Sequence, residues 1–459
     1  MNTVLSASSS ADRRRWLTLT TLCLAVLVAQ VDTAIVNLAT RPVGEAFAVG
    51  VGALQWFIDS YNLVYAVLLM TGGVLADFYG RRLVFMVGAG VFTVASLLCA
   101  IAPSMTFLIG ARALAGLGAA MLLPASLAII RIVWDNAAER NRALGIWAAC
   151  NGLAMAIGPT LGGLLIHYFG WRSIFVVVIP LSVAALVLAV PTIPETSDRG
   201  NRGFDMWGQC LGALVLGGLA LAGIKAYESP GLAALILLAV AIVLILFVWI
   251  ENKQGNAALV PPGIFTTSAF RGAFIATAGM TFGMYGLLFL LPLMWQSAGR
   301  FTAVNAGVAL MPMALVFVIV SAYSGKIVSW LGQRFAISGG VTLIALGLLL
   351  IAIGSGQTTI LMSEVGLGLT GLGMGLATGP LMAVAVGAVA VAWSGTASAL
   401  INVARMTGAT LGVAVLGAIY ESFGEGAVGL QMALQVAASV QIVCAVYCGW
   451  ALPGRESVL

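Results

Sequence analysis

The chain has 459 residues, 61% of them hydrophobic and 8% charged, with a formal net charge of +5 and one histidine. A soluble domain carries about 25% charged residues, so the composition excludes an ordinary water-soluble enzyme, and the positive excess does not imply nucleic acid. No Cys/His spacing or paired-carboxylate cluster suits a metal ion, and Ser and His form no recognisable catalytic constellation.

In chain order, about fourteen apolar stretches are each long enough to cross a ~30 Å hydrocarbon layer as a helix. They fall at 16–38, 51–74, 83–103, 107–130, 142–165, 172–193, 206–226, 231–250, 272–295, 303–325, 335–354, 360–384, 396–419 and 431–452. In lipid the backbone must satisfy its own hydrogen bonds, so the spans read as helices. The alternating segments of a β-barrel are absent. The expected class is an all-α integral membrane protein. Arg13, Arg14 and Arg15 precede the first span like a signal peptide, but the apolar run is too long and lacks a cleavage site, so it is read as a retained helix. The 56 glycines read as packing surfaces between helices. The six cysteines, all in apolar segments, read as small buried hydrophobes.

Lys and Arg in the short loops set the orientation. With the N-terminus in the cytoplasm, the inner loops hold Arg81, Arg82, Arg131, Arg140, Arg142, Arg199, Arg202, Lys253, Arg271, Lys326 and Arg334, whereas the outer side holds Arg41, Arg172, Lys225 and Arg300. Both termini are therefore expected in the cytoplasm of a cell-membrane protein, and this bias explains the net charge.

An internal repeat divides the chain. Gly73-Val-Leu-Ala-Asp77-Phe-Tyr-Gly80-Arg81-Arg82 recurs as Gly325-Lys-Ile-Val-Ser329-Trp-Leu-Gly332-Gln-Arg334. Gly116 and Gly118 recur as Gly371 and Gly373, and the Gly158…Gly162 segment recurs as Gly408…Gly412. The expected organisation is a six-helix bundle over 1–195, an inserted two-helix hairpin over 196–255, and a second six-helix bundle over 256–459. Two parallel halves are the architecture of a transporter that binds substrate near the membrane midplane.

An ionisable side chain inside a span costs about 2.5–3.5 kcal/mol on insertion scales and is a functional candidate by default. Asp32, in the outer part of the first span, is a candidate proton carrier. Asp59, near the outer end of the second, is a further proton site or an attractor for a cationic substrate. Arg112, in the fourth, stays charged and needs a partner, for which Asp32 is one candidate. Arg405, in the thirteenth, reads equally as a structural pair or a substrate contact. Trp56, Tyr61, Phe289, Trp295, Gln296 and Met311 are candidate pocket residues, though such side chains more often pack helices or face lipid.

Together these segments resemble the major facilitator superfamily, specifically its fourteen-helix drug:proton antiporter branch. The resemblance rests on Val31-Asp-Thr-Ala-Ile-Val-Asn-Leu-Ala39, on Gln55-Trp-Phe-Ile-Asp-Ser-Tyr61, and on Gly73, Asp77, Gly80, Arg81 and Arg82. It extends through Arg112, Gly116, Gly118 and Pro124, then Gly152, Gly158, Pro159, Gly162 and Gly163, and Leu288–Gln296 in the second half. The family pattern implies a cytoplasmic charge latch of Asp77 with Arg81, proton coupling through Asp32 and Arg112, and a Gly-Pro motif associated with exporters. Phe78 and Ala115 depart from the pattern. The middles of spans nine to twelve carry no acid, which favours neutral or monocationic hydrophobic substrates. The implied protein is a monomeric proton-coupled exporter of small molecules in the lipid bilayer. It needs no cofactor beyond the proton gradient and has no nucleic-acid partner. A solute facilitator of the same fold, or more distantly a polytopic enzyme or sensor, is the alternative.

Overall fold

The computed structural model describes residues 2–134, 136–196, 205–254, 260, 262–356, 360–389 and 393–452. These residues form helices and short connections, with no strand among them. The helices are α1 Arg13–Phe47, α2 Val51–Tyr79, α3 Arg81–Ala100 and α4 Met105–Val133. Next come α5 Ala137–Phe169, α6 Ser173–Thr192, α7 Met206–Ala226 and α8 Pro230–Lys253. The second half holds α9 Ser268–Ser297, α10 Ala303–Leu331, α11 Gln333–Gly354, α12 Leu361–Gly387, α13 Thr396–Ser422 and α14 Ala427–Ala451. Thirteen are long and apolar enough to cross a membrane. The other, α5, occupies the place of the expected fifth span.

The sides of the bundle suit lipid. On α8, Leu235, Leu238, Ile242 and Ile245 are exposed, a face that no soluble protein presents along a whole helix. The first span runs further than its apolar stretch. A 3-10 turn at Asn37–Ala39 leads into the helical extension Thr40–Phe47. Arg41 lies on that extension and pairs with Glu45 one turn later at 2.7 Å, a spacing that supports an exposed helix end. Apolarity marks what the membrane covers, not where the helix stops.

The sequence repeat is reproduced as geometry. A Cβ on Gly116 of α4 would overlap the Tyr61 carbonyl of α2, and one on Gly371 of α12 would overlap the Met313 carbonyl of α10. Gly118 abuts the backbone of α3 at Gly88 and Phe92, as Gly373 abuts α11 at Gly340 and Ile344. Gly158 and Gly162 of α5 press on Ala34 and Ile35 of α1, while Gly408 and Gly412 of α13 press on the Ala278 and Phe282 carbonyls of α9. Small residues permit these approaches where lipid supplies no hydrophobic drive between helices. The α2–α3 junction turns at Gly80 with φ +112° and the α10–α11 junction at Gly332 with φ +84°, a conformation that only glycine adopts cheaply. Two six-helix bundles result. The α7–α8 hairpin packs through α7 against α2 and α13.

Candidate proton-coupling and transport site

The structure brings Asp32 of α1 and Arg112 of α4 together. One guanidinium nitrogen donates to the Asp32 carboxylate at 2.5 Å, with the side chains 2% and 1% exposed. Arg112 Nε is buried without a hydrogen-bond partner. The guanidinium lies over the Tyr61 ring at 4.6 Å and the Phe57 ring at 5.9 Å, both from α2. Cation–π contact of this kind helps hold a charge away from water. Three helices of one bundle thus converge on a single neutralised ion pair.

Asp59 is placed differently. It is 0% exposed, and neither carboxyl oxygen has a hydrogen-bond partner among the described residues. It sits one helical turn from Gln55 on the same face of α2. Gln55 donates from its amide nitrogen to the carbonyls of Val413 at 3.1 Å and Ala414 at 2.8 Å on α13. Its side chain lies against Gly417, where a Cβ would overlap it. Asp59 therefore lies on the side of α2 that meets the other bundle.

Two more ties close the same, predicted outer, end. Gln296 of α9 donates to the Leu38 carbonyl of α1 at 3.3 Å. Gly307 of α10 abuts the Pro159 carbonyl of α5, and Gly163 of α5 abuts Ala303 and Val304. The hydrogen bonds of Gln55 and Gln296 thus tie the two bundles at this end. Phe289, Trp295 and Gln296 are buried, with Trp295 edge-on to Phe301 at 5.1 Å. Trp56 and Met311 are half-buried, and Tyr61 is buried over Arg112. Arg405 is half-buried on α13. It interacts electrostatically with Tyr65 of α2 and Tyr285 of α9, one helix from each bundle.

A profile of the Major Facilitator Superfamily matches residues 22–413. The chain belongs to this superfamily. Within it, the chain is similar to the multidrug resistance protein Stp of Mycobacterium tuberculosis (strain CDC 1551 / Oshkosh), at 35% identity over 89% of this chain and 76% of that protein. It is similar to the multidrug efflux pump LfrA of Mycolicibacterium smegmatis, at 31% identity over 92% and 85%. Its fold is that of a bacterial homologue of the human lysosomal transporter Spinster in an inward-facing, unoccupied conformation, with a TM-score of 0.70 at 17% identity over 95% and 97% of the chains.

The residues that carry the resemblance take definite places. At the predicted inner end of α2, Asp77 pairs with Arg81 at 2.7 Å. Arg81 also donates its backbone N–H to the Thr196 carbonyl at 2.9 Å, and Glu195 lies against Gly80. Gly73 packs loosely near Pro124, and Arg82 is half-buried. Of the Gly-Pro motif, Gly158 and Gly162 face α1 within the bundle, whereas Pro159 and Gly163 face α10 across it. Gly152 lies outside the residues whose surroundings the structure describes. Gln55, Tyr65 and Tyr285 did not stand out as functional in the sequence. The available signal was a polar atom in an apolar span, which marks Gln55 but leaves a tyrosine looking like packing.

Proposed function

We propose that this chain is a proton-coupled antiporter that moves small hydrophobic or monocationic drugs or antibiotics out of the cytoplasm by alternating access. It works as a monomer in the cell membrane with both termini in the cytoplasm. It is organised as 1–195, 196–255 and 256–459, and the proton gradient replaces any cofactor. In this reading α5 is the fourteenth crossing. Were it not, α6 and every later helix would be inverted, and the basic loops would face outward against the usual bias.

The observation that carries the proposal is the buried Asp32–Arg112 pair. A charged pair in this position is costly to form and adds nothing that apolar packing would not provide. A proton on Asp32 breaks the pair's neutrality and leaves Arg112 seeking another acceptor, which couples protonation to movement of α1 against α4. Asp59 supplies a second site. An ionised carboxylate without a partner is too costly to bury, so Asp59 carries a proton while the outer end is closed. Separation of α2 from α13 gives it water and lets it exchange that proton. Protons load from outside, the outer end closes on neutral groups, and release to the cytoplasm readies the site for substrate.

The test is uptake of ethidium into inverted vesicles under an imposed pH gradient. Asp32→Asn is expected to abolish gradient-driven uptake. Asp59→Asn, which mimics the protonated acid, is expected to slow it at least tenfold while leaving gradient-independent exchange of labelled substrate intact. Normal gradient-driven transport by Asp32→Asn removes the proton role of the pair.

A further inference from the structure

Arg112 and Arg405 are the two arginines deep within the spans, and their circumstances are opposite. Arg112 is neutralised by Asp32. No ion pair and no hydrogen bond among the described residues involves Arg405, yet arginine stays charged in any protein environment. Nor does the repeat account for it. With Gly408 aligned to Gly158, Met155 stands in α5 where Arg405 stands in α13. At this repeat position a cation thus stands in the second half only, at about 2.5–3.5 kcal/mol of insertion cost, without a paired anion among the described residues.

Its neighbourhood is suited to an anion that arrives. On α13, Gly408 and Gly412 face α9, and Val413 and Ala414 meet Gln55 of α2. Helical geometry turns Arg405 between those two faces, toward the side of α13 that α2 and α9 flank. Tyr65 and Tyr285, from those two helices, are the side chains it feels electrostatically. Asn62, three residues before Tyr65 on α2, is buried with neither amide atom hydrogen-bonded. A fixed cation that acts on one tyrosine from each bundle, with an unpartnered amide one turn from Tyr65, is a set of polar groups without a resident anion among the described residues.

We infer that Arg405 is a docking point for an acidic oxygen on an exported compound: alongside neutral and monocationic substrates, this transporter takes small hydrophobic ones bearing a carboxylate or a comparably acidic enol or phenol. Tyr65 and Tyr285 donate to the same group. The inference rests on the exporter reading for its substrate, but not for the binding site. An anion held by helices of both bundles also senses their relative position, as alternating access requires.

The experiment uses 1-naphthoate and its neutral counterpart 1-naphthamide, with equilibrium dialysis on the purified full chain. Wild type is expected to bind naphthoate at least tenfold tighter than naphthamide. Arg405→Gln should weaken naphthoate at least tenfold, the loss of one charge-assisted contact, and should leave naphthamide unchanged. Arg405→Lys should restore most of the affinity, and Tyr65→Phe should weaken it a few-fold. Should Arg405→Gln fail to fold, the naphthoate–naphthamide comparison in wild type and Arg405→Lys decides. Equal binding of the two compounds by wild type, no binding of either, or undiminished naphthoate binding by folded Arg405→Gln overturns the assignment. Gradient-driven ethidium uptake, run in parallel, separates the two claims. Arg405-dependent binding with no gradient-driven movement of any compound keeps this site and sinks the exporter reading, whereas ethidium uptake with charge-blind binding does the reverse.

Discussion

Removing one member of the Asp32–Arg112 pair strands the other in an interior that cannot hydrate it. Asp32→Asn and Arg112→Gln should each lower the stability of the purified protein by about 3–5 kcal/mol, the usual cost of leaving a buried charge uncompensated. The double variant should recover a large part of that loss, because two neutral side chains leave no charge to balance. Thermal unfolding in detergent reads all three, and additive losses would show that the two residues do not act as a unit. The need for a partner was legible in the residue types, since an arginine in a span demands one. The identity of the partner was only one candidate among carboxylates, carbonyls and water, because Asp32 and Arg112 are on different helices. Phe289 and Trp295 illustrate the converse. As aromatics in an apolar span they fit a pocket and a packed core equally well, and in this conformation they are packed.

At the scale of the helix, glycine contacts carry the fold. Gly116→Val and Gly371→Val each drive a side chain into a carbonyl of the neighbouring helix. Both are expected to cost about 1–3 kcal/mol or more, as overpacking does, and to lower the melting temperature. Gly90→Val, with open space around its added Cβ, serves as the control. Equal effects at all three positions would mean that helix propensity, not close approach, sets the penalty. Here the sequence was informative through its repeat. Three glycine matches in order predicted equivalent halves; Gly116, Gly118, Gly158 and Gly162 do pack as Gly371, Gly373, Gly408 and Gly412 do, whereas Gly73 lies near Pro124 and Gly325 in open space. What the sequence did not reveal was helix length. The extension Thr40–Phe47 and the long α5 continue past their apolar stretches because backbone hydrogen bonding does not require an apolar side chain.

For the whole molecule, the decisive feature is the set of ties that closes the predicted outer end. Gln55→Cys with Gly417→Cys, in a background with the native cysteines replaced, should cross-link on mild oxidation and arrest transport, with activity returning on reduction. Cross-linking that leaves transport running would mean that this contact does not open during the cycle. The sequence alone determined the membrane setting, the helical class, the two equivalent halves and the short list of intramembrane charges. These follow from composition and spacing, because hydrocarbon imposes the same demand on every residue that enters it. Only the tertiary structure decided that Asp32 is paired while Asp59 and Arg405 have no ion pair among the described residues, and that Gln55, Gln296 and Gly307 close one end. Those facts depend on which helices become neighbours, and in lipid that choice is made by close packing of small residues from distant parts of the chain, not by any local pattern.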